Sequence, residues 1–369
     1  MNIPLSVRLA EYAGVASSLG VDAVALVPGP NFTRAVGRAF MSHERPFLVV
    51  IPANGPAVAL VPNLELRSWD LVEFEGKVFD WRDEDGYARA FADLTAHLRI
   101  SSLAVEGQVM RVFVHHAFKT AQPDLRIIDG EAAISGLRVI KTPDDIAALR
   151  AAIEISERAL ARTLAGVRLG QTETEIEQAL IQALFAEGAE DQAFHPIVAA
   201  GDGSARPHAS VRPDYRVKAG DALLLDFGAR KHGFAADITR TVFLRHVTDE
   251  GRAVYDTVLR ANRRGHEVTR AGVTAHEIDD ALIGVLEASA FADRIRTKTG
   301  HGLGRDVHEA PYIMRGNHTV LHAGTVFTNE PGLYEIDNFG VRIEDVVLVT
   351  ETGSTSLTTF PTDLQVLPC

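Results

Sequence analysis

The chain repeats itself. Gly170-Gln171-Thr172-Glu173-Thr174-Glu175-Ile176-Glu177-Gln178-Ala179-Leu180 is echoed by Gly272-Val273-Thr274-Ala275-His276-Glu277-Ile278-Asp279-Asp280-Ala281-Leu282, with Gly, Thr, Glu, Ile, Ala and Leu recurring at one fixed offset. Such self-similarity reports a structural unit used twice. Each copy follows a long amphipathic stretch, at about 143–167 and about 248–270, opens a second helix with a threonine cap, and leads into a strand-rich segment. Two helix–helix–strand halves predict a pseudo-twofold domain with its site between the halves.

What precedes the repeats is different in kind. A chain of 369 residues exceeds what one hydrophobic core serves well, so a second domain is expected. Residues 1–135 alternate helical and strand signals: an amphipathic stretch ending at Gly20, then the apolar runs VDAVALV, FLVVI, AVALV, SLAVEG and LRIID. This reads as an α/β domain, with 136–369 as the catalytic domain. Thr142-Pro143-Asp144-Asp145 opens the long helix that follows, with a cap, a proline in the first turn and acids beside the helix N-terminus. The N-terminal residues show no basic run followed by a long apolar stretch, so a cytoplasmic protein with no membrane span is expected. A net charge of −12 argues against nucleic acid as a partner. The single cysteine, Cys369, allows no internal disulfide and no cysteine metal site, so any metal must be held by His, Asp and Glu.

Those residue types cluster in two segments. In ALLLDFGARKHGFAADITRTVFL, two β-rich runs flank a turn at Lys231-His232-Gly233, and the predicted register sets Asp226 opposite Asp237. In TVFTNEPGLYEIDNFGVRIEDVVLV, a turn at Ile336-Asp337-Asn338 would bring Glu330 level with Glu344. Like charges facing each other destabilise a ladder, so something positive belongs between them. By pseudo-symmetry the hairpins converge, and four carboxylates in one cleft call for cations. Thr299-Gly300-His301-Gly302-Leu303-Gly304 adds a histidine framed by glycines that permit close backbone approach. Oxygen ligands with one imidazole suit Mn²⁺, Zn²⁺, Co²⁺ or Fe²⁺.

Two such ions, about 3.5–4 Å apart, bind a bridging water, lower its pKa and polarise the carbonyl it attacks. Glu330 is the candidate to move the proton from that water to the leaving nitrogen. His208 and His308 are candidates to hydrogen-bond the substrate or the developing oxyanion. Arg342, two residues before Glu344, shares its strand face and is expected to orient the carboxylates.

The blocks ARPHAS, LLLDFGA, ADITRTV, GHGLGRDVHEAP, TNEPGLY and VRIEDVVLV, in this order over about residues 140–350, resemble the pita-bread metallopeptidases (family M24). Within that family they resemble the Xaa-Pro aminopeptidases and Xaa-Pro dipeptidases. The resemblance implies an α/β N-terminal domain joined to an α+β pita-bread domain, its helices packed on a curved antiparallel sheet. It implies two metal ions, most often manganese with zinc or cobalt possible, held by Asp226, Asp237, His301, Glu330 and Glu344. Asp237 and Glu344 would bridge, and His208 and His308 would bind substrate. It also implies a homodimer and peptide substrates with proline in second position.

Dipeptidases of this type tend to carry an arginine after the proline of the HEAP block, to hold a free carboxylate; here Tyr312 stands there. That favours an Xaa-Pro aminopeptidase. The alternative is an Xaa-Pro dipeptidase with the charge supplied by Arg305, by Arg315 or by a partner subunit. A catalytically silent peptide-binding protein of the same fold is the remote alternative.

Overall fold

A computed structural model describes residues 3–369, folded as two compact units that meet in the sequence after Arg138.

The first unit is built on a six-stranded sheet. Its spatial order is Lys77–Trp81, Val58–Pro62, Leu48–Pro52, Ala23–Leu26, Ser102–Val105, Arg126–Asp129. Ala23–Leu26 and Val58–Pro62 each pair antiparallel with Leu48–Pro52, and the outer pairings are parallel. Alternate residues of the central strands enter separate cores: Val24, Leu26, Val49 and Ile51 join one, and Ala23, Ala25, Leu48 and Val50 the other. Burial on both faces is why these runs read as continuously apolar rather than alternating. The strand Lys77–Trp81 escapes the sequence reading for the opposite reason. It lies at the sheet edge and buries only Phe79 and Trp81, so no apolar run marks it.

The second unit carries the repeat. Helices Pro143–Gly166 and Glu173–Ala186 form one pair, Asp249–Val268 and Ala275–Glu287 the other. Thr172 and Thr274 each accept from the backbone N–H three residues on, while Glu175 and Glu277 return the bond to the cap residue. These matched capping boxes fix where each second helix starts. The first pair packs on the sheet of Ile197–Ala200, Ala222–Phe227 and Ile238–Leu244, to which Val366–Leu367 adds. Ala275–Glu287 packs on the sheet of Glu309–Ile313, Gly300–Gly302, Val326–Asn329, Asp345–Val349 and Ser354–Ser356.

The halves meet along a seam between Ile238–Leu244 and residues 342–345. Glu344 N–H donates to Thr239 O at 3.1 Å, and Arg342 N–H to Thr241 Oγ1 at 3.2 Å. Buried Arg240 reaches across to Glu344 O at 2.6 Å and to Asp345 Oδ1 at 2.7 Å. The pseudo-twofold arrangement of helices on antiparallel strands agrees with the expected fold class. Among the described residues no helix is long and apolar enough to cross a membrane.

Candidate metal centre

The first acidic hairpin is in register, but not in the predicted one. Asp226 stands opposite Thr239, not Asp237. The turn is a two-residue one, His232-Gly233, with φ of 52° and 75° at its centre. Both central residues at positive φ mark the turn that matches strand twist in tight hairpins. Centring the turn there shifts the pairing by two residues. Because the side-chain period is two, Asp237 still shares a face with Thr239, and so with Asp226.

The second hairpin matches its expectation. Asn329 pairs with Asp345 on one side and Gly332 with Arg342 on the other, so Glu330 and Glu344 fall level between them. Neither spends its N–H on the other. Glu330 N–H goes to Thr299 O at 2.9 Å and Glu344 N–H to Thr239 O at 3.1 Å, so each is stitched to a neighbouring segment.

His301 lies in the three-residue strand Gly300–Gly302. A β-carbon at Gly300 would meet Thr328 O at 1.9 Å, and one at Gly302 would meet Ala310 O at 2.2 Å. The flanking glycines are therefore required by backbone approach on both sides, as the sequence suggested. His301 Nδ1 lies 3.1 Å from Gly302 O. A carbonyl can only accept, so Nδ1 carries the proton and Nε2 the lone pair. Burial lowers the ring's pKa to about 4, so it is neutral at pH 7.

That lone pair points at anions: Nε2 lies 3.2 Å from Glu330 Oε1 and 3.6 Å from Asp237 Oδ2. An acceptor aimed at two carboxylates is repulsive unless a cation is shared among them. The carboxylates repeat the signal. Ligand atoms of Asp226, Asp237 and Glu344 lie within 4.8 Å of one another, as do those of His301, Glu330 and Glu344 and those of Asp237, His301 and His308. Buried Asp226 Oδ1 and Glu344 Oε1 have no hydrogen-bond partner. Burial, and then their acidic neighbours, push the pKa of Asp237 and Glu344 well above the usual carboxylate range. Buried orphaned oxygens and an inward lone pair fit a pair of divalent cations.

Residues that sequence reasoning passed over hold this arrangement. Thr239 Oγ1 donates to Glu344 Oε2 at 2.6 Å and accepts from Arg342 Nε at 3.0 Å. Thr328 Oγ1 donates to Glu330 Oε1 at 3.1 Å. Arg342 pairs with Asp226 through Nη2 and donates to the Tyr334 hydroxyl at 2.9 Å. Burial opposes its charge, but Tyr334, Asp226, Glu344 and Glu330 outweigh that and hold its pKa well above the ordinary value. The orienting role expected for Arg342 thus has a geometric basis. The readable signal for Thr239 was its place two residues after Asp237, on the same strand face.

A model of metallopeptidase family M24 matches residues 147–351, and one of the creatinase/prolidase N-terminal domain matches residues 8–140. The chain belongs to metallopeptidase family M24. Among M24 relatives, it is 32% identical to the probable dipeptidase PepE of Mycobacterium tuberculosis, over 98% of this chain and 96% of that one. It is 35% identical to the Xaa-Pro dipeptidase of Pyrococcus furiosus, over 70% of this chain and 73% of that one. Among solved M24 structures, the prolidase of Thermococcus sibiricus superposes with a TM-score of 0.94 at 31% identity, covering 100% of both chains. The X-Pro aminopeptidase of Thermotoga maritima gives 0.84 at 31% identity, covering 98% and 99%.

The M24 centre opens into a cavity of about 770 Å³, lined by all four acids, His301, Arg342, His208 and His308. His308 sits against His301, ring centroids 4.0 Å apart, and desolvation with the neighbouring His301 and Lys298 lowers its pKa to about 4. His208 lines the cavity but joins none of the metal-competent groupings. Neither arginine suggested as a substitute at position 312 lines this cavity. Arg315 is engaged by Asp280 and Glu287, and the Arg305 guanidinium lies over the Phe234 ring. Behind His308, buried Glu309 pairs with buried Lys141.

Proposed function

We propose that the chain is a dinuclear, proline-directed exopeptidase of the Xaa-Pro dipeptidase type. The observation that carries this is the convergence of two acidic hairpins and His301 on one cavity, with buried carboxylate oxygens lacking any donor. In this reading Asp226, Asp237, His301, Glu330 and Glu344 hold two divalent metals, manganese in the native enzyme. Asp237 and Glu344 would be the ligands shared between the two metals, since each belongs both to a grouping with Asp226 and to one with His301. When bound, the metal pair supplies Lewis acidity that acidifies water and polarises the scissile carbonyl.

The chain's own residues do the rest. Glu330, whose side chain is 16% exposed and faces the cavity, takes a proton on its carboxylate and returns it to the leaving prolyl nitrogen. His308, kept neutral by its lowered pKa, and His208 hydrogen-bond the substrate from the cavity wall. Arg342 and Thr239 hold Asp226 and Glu344 in place against their mutual repulsion. The dipeptidase reading is supported by full-length similarity to proteins named dipeptidase and prolidase. It replaces the aminopeptidase expectation that rested on Tyr312. That second reading keeps two supports, Tyr312 itself and the likeness to an X-Pro aminopeptidase.

The test compares Xaa-Pro with Xaa-Pro-Xaa peptides under Mn²⁺, Zn²⁺ and Co²⁺ in turn. Hydrolysis confined to dipeptides, greatest with manganese, is expected; faster cleavage of tripeptides would return the aminopeptidase. Metal analysis is expected to find two ions per chain, and sedimentation a homodimer.

A further inference from the structure

The cavity wall contains a cation that no acceptor among the described residues answers. Three basic side chains line it: Arg342, Arg230 and Lys298. Arg342 is neutralised by Asp226. Arg230 donates to Arg305 O at 2.8 Å. Among the described residues the Lys298 ammonium has neither an ion pair nor a hydrogen-bond acceptor, and its nearest marked neighbour is the Tyr312 ring, 5.8 Å from Nζ to centroid.

Its place is specific. Lys298 stands three residues before His301 and lines the same cavity as His301, His308 and the four acids. The side chain is only partly buried, leaving its N–H groups open to the cavity. An ammonium open to the cavity, with no acceptor among the described residues, has its donors available to a ligand. Lysine donors match carboxylate and phosphate. A peptide small enough for a cavity of about 770 Å³ brings one fixed anion, its terminal carboxylate.

We propose that Lys298 is the specificity-determining residue that anchors the free C-terminal carboxylate of a dipeptide substrate. This rests on the peptidase reading above and selects dipeptides within it. Lys298 and His308 line the same cavity as the acids, so a dipeptide spanning the centre presents its scissile carbonyl to the metal side and its carboxylate to Lys298. A longer peptide carries its carboxylate past the anchor and gains nothing from it.

The experiment compares Ala-Pro with Ala-Pro-NH₂, and Asp-Pro-NH₂ with Ala-Pro-NH₂, on the metal-loaded enzyme. Binding of the same peptides to chelator-treated protein is followed in parallel by calorimetry. The acid is expected to be favoured over the amide roughly 10- to 100-fold in KM, the scale of one charge-assisted hydrogen bond. Lys298→Met should collapse that ratio toward one, Lys298→Arg should keep most of it, and Arg230→Met should not collapse it. Equal handling of acid and amide by the unaltered enzyme would overturn the proposal, as would a ratio that survives Lys298→Met or is lost only in Arg230→Met. Preference for Asp-Pro-NH₂ would place the anchored carboxylate on the first residue and overturn the dipeptide assignment. Absence of any Xaa-Pro hydrolysis would sink the proline-directed reading instead. The acid-to-amide binding ratio in the chelated protein, measured also with Leu-Leu and Leu-Leu-NH₂, then still decides the anchor.

Discussion

The two acidic hairpins solve one problem by different means. In the first, Asp226 sits inside an unbroken ladder, Thr239 stands opposite it, and Asp237 lies two residues further along the same face. In the second, Glu330 and Glu344 stand level, but where the ladder pauses, each sending its N–H to another segment. The first hairpin avoids direct opposition of like charges by offset. The second accepts opposition and releases both residues from the ladder. The longer glutamate stems then reach the space that the shorter aspartates define. Thr239 is the hinge of the comparison, since its backbone and hydroxyl both serve Glu344 across the seam.

If the hairpins are equal partners in one dinuclear centre, removing a ligand from either should be equally damaging. Asp237→Asn and Glu344→Gln are each expected to lower kcat/KM by more than about 100-fold, beyond the usual cost of losing an orienting partner. Bound metal should fall below two ions per chain; loss confined to one variant would break the symmetry argued here. Arg342→Met frees Asp226 on the first hairpin directly and touches Glu344 only through Thr239, and a loss of about 10- to 100-fold in activity is expected. Restoration of much of that loss by Arg342→Lys would show that charge alone, without the guanidinium's several contacts, suffices.

Metal removal tests the buried charges themselves. Asp237 and Glu344 have folded-state pKa values above their unfolded ones, near 4 for free carboxyls, so at these two sites the metal-free protein binds more protons folded than unfolded. Those two carboxyls lower its stability as pH rises above about 4, whereas His301 and His308, held near 4, act in the opposite direction up to about pH 6.5, so the net fall should be seen above about pH 6.5, until the folded-state carboxyl pKa values are passed. Cations displace those protons, so the rise in Tm on adding Mn²⁺ should grow from pH 5 to pH 8. An identical rise at both would refute the coupling.

The smallest effects should come from the helices behind each hairpin. Thr172→Ala and Thr274→Ala remove equivalent caps, and each should cost about 1 kcal/mol in denaturant unfolding. Values that differ by more than about twofold would mean the two copies have diverged in their local energetics.

What the sequence revealed follows from what leaves a local trace. The repeat, its threonine caps and the level placement of Glu330 and Glu344 were legible because each leaves a pattern in the sequence itself: a fixed offset, a cap beside its helix, a turn centred between two acids. The register of Asp226 was missed by two, because the tight turn depends on His232 adopting a positive φ, for which histidine gives little signal. The edge strand Lys77–Trp81 lacked an apolar run because only two of its side chains are buried. Thr239 was invisible as a positioning residue because its meaning depends on Glu344 and Arg342, more than a hundred residues away. Lys298 was passed over for a similar reason: an unanswered charge is recognised only when its surroundings are known.

The buried pair of Lys141 and Glu309 ties the first residues of the second unit to the loop that carries His308. Any effort to isolate that unit therefore meets a limit set by a single side chain. A fragment trimmed at the helix start, Pro143, would lose this buried ion pair, whereas one begun at Val139 keeps its lysine. The segment that looks like a connector is, in this respect, foundation.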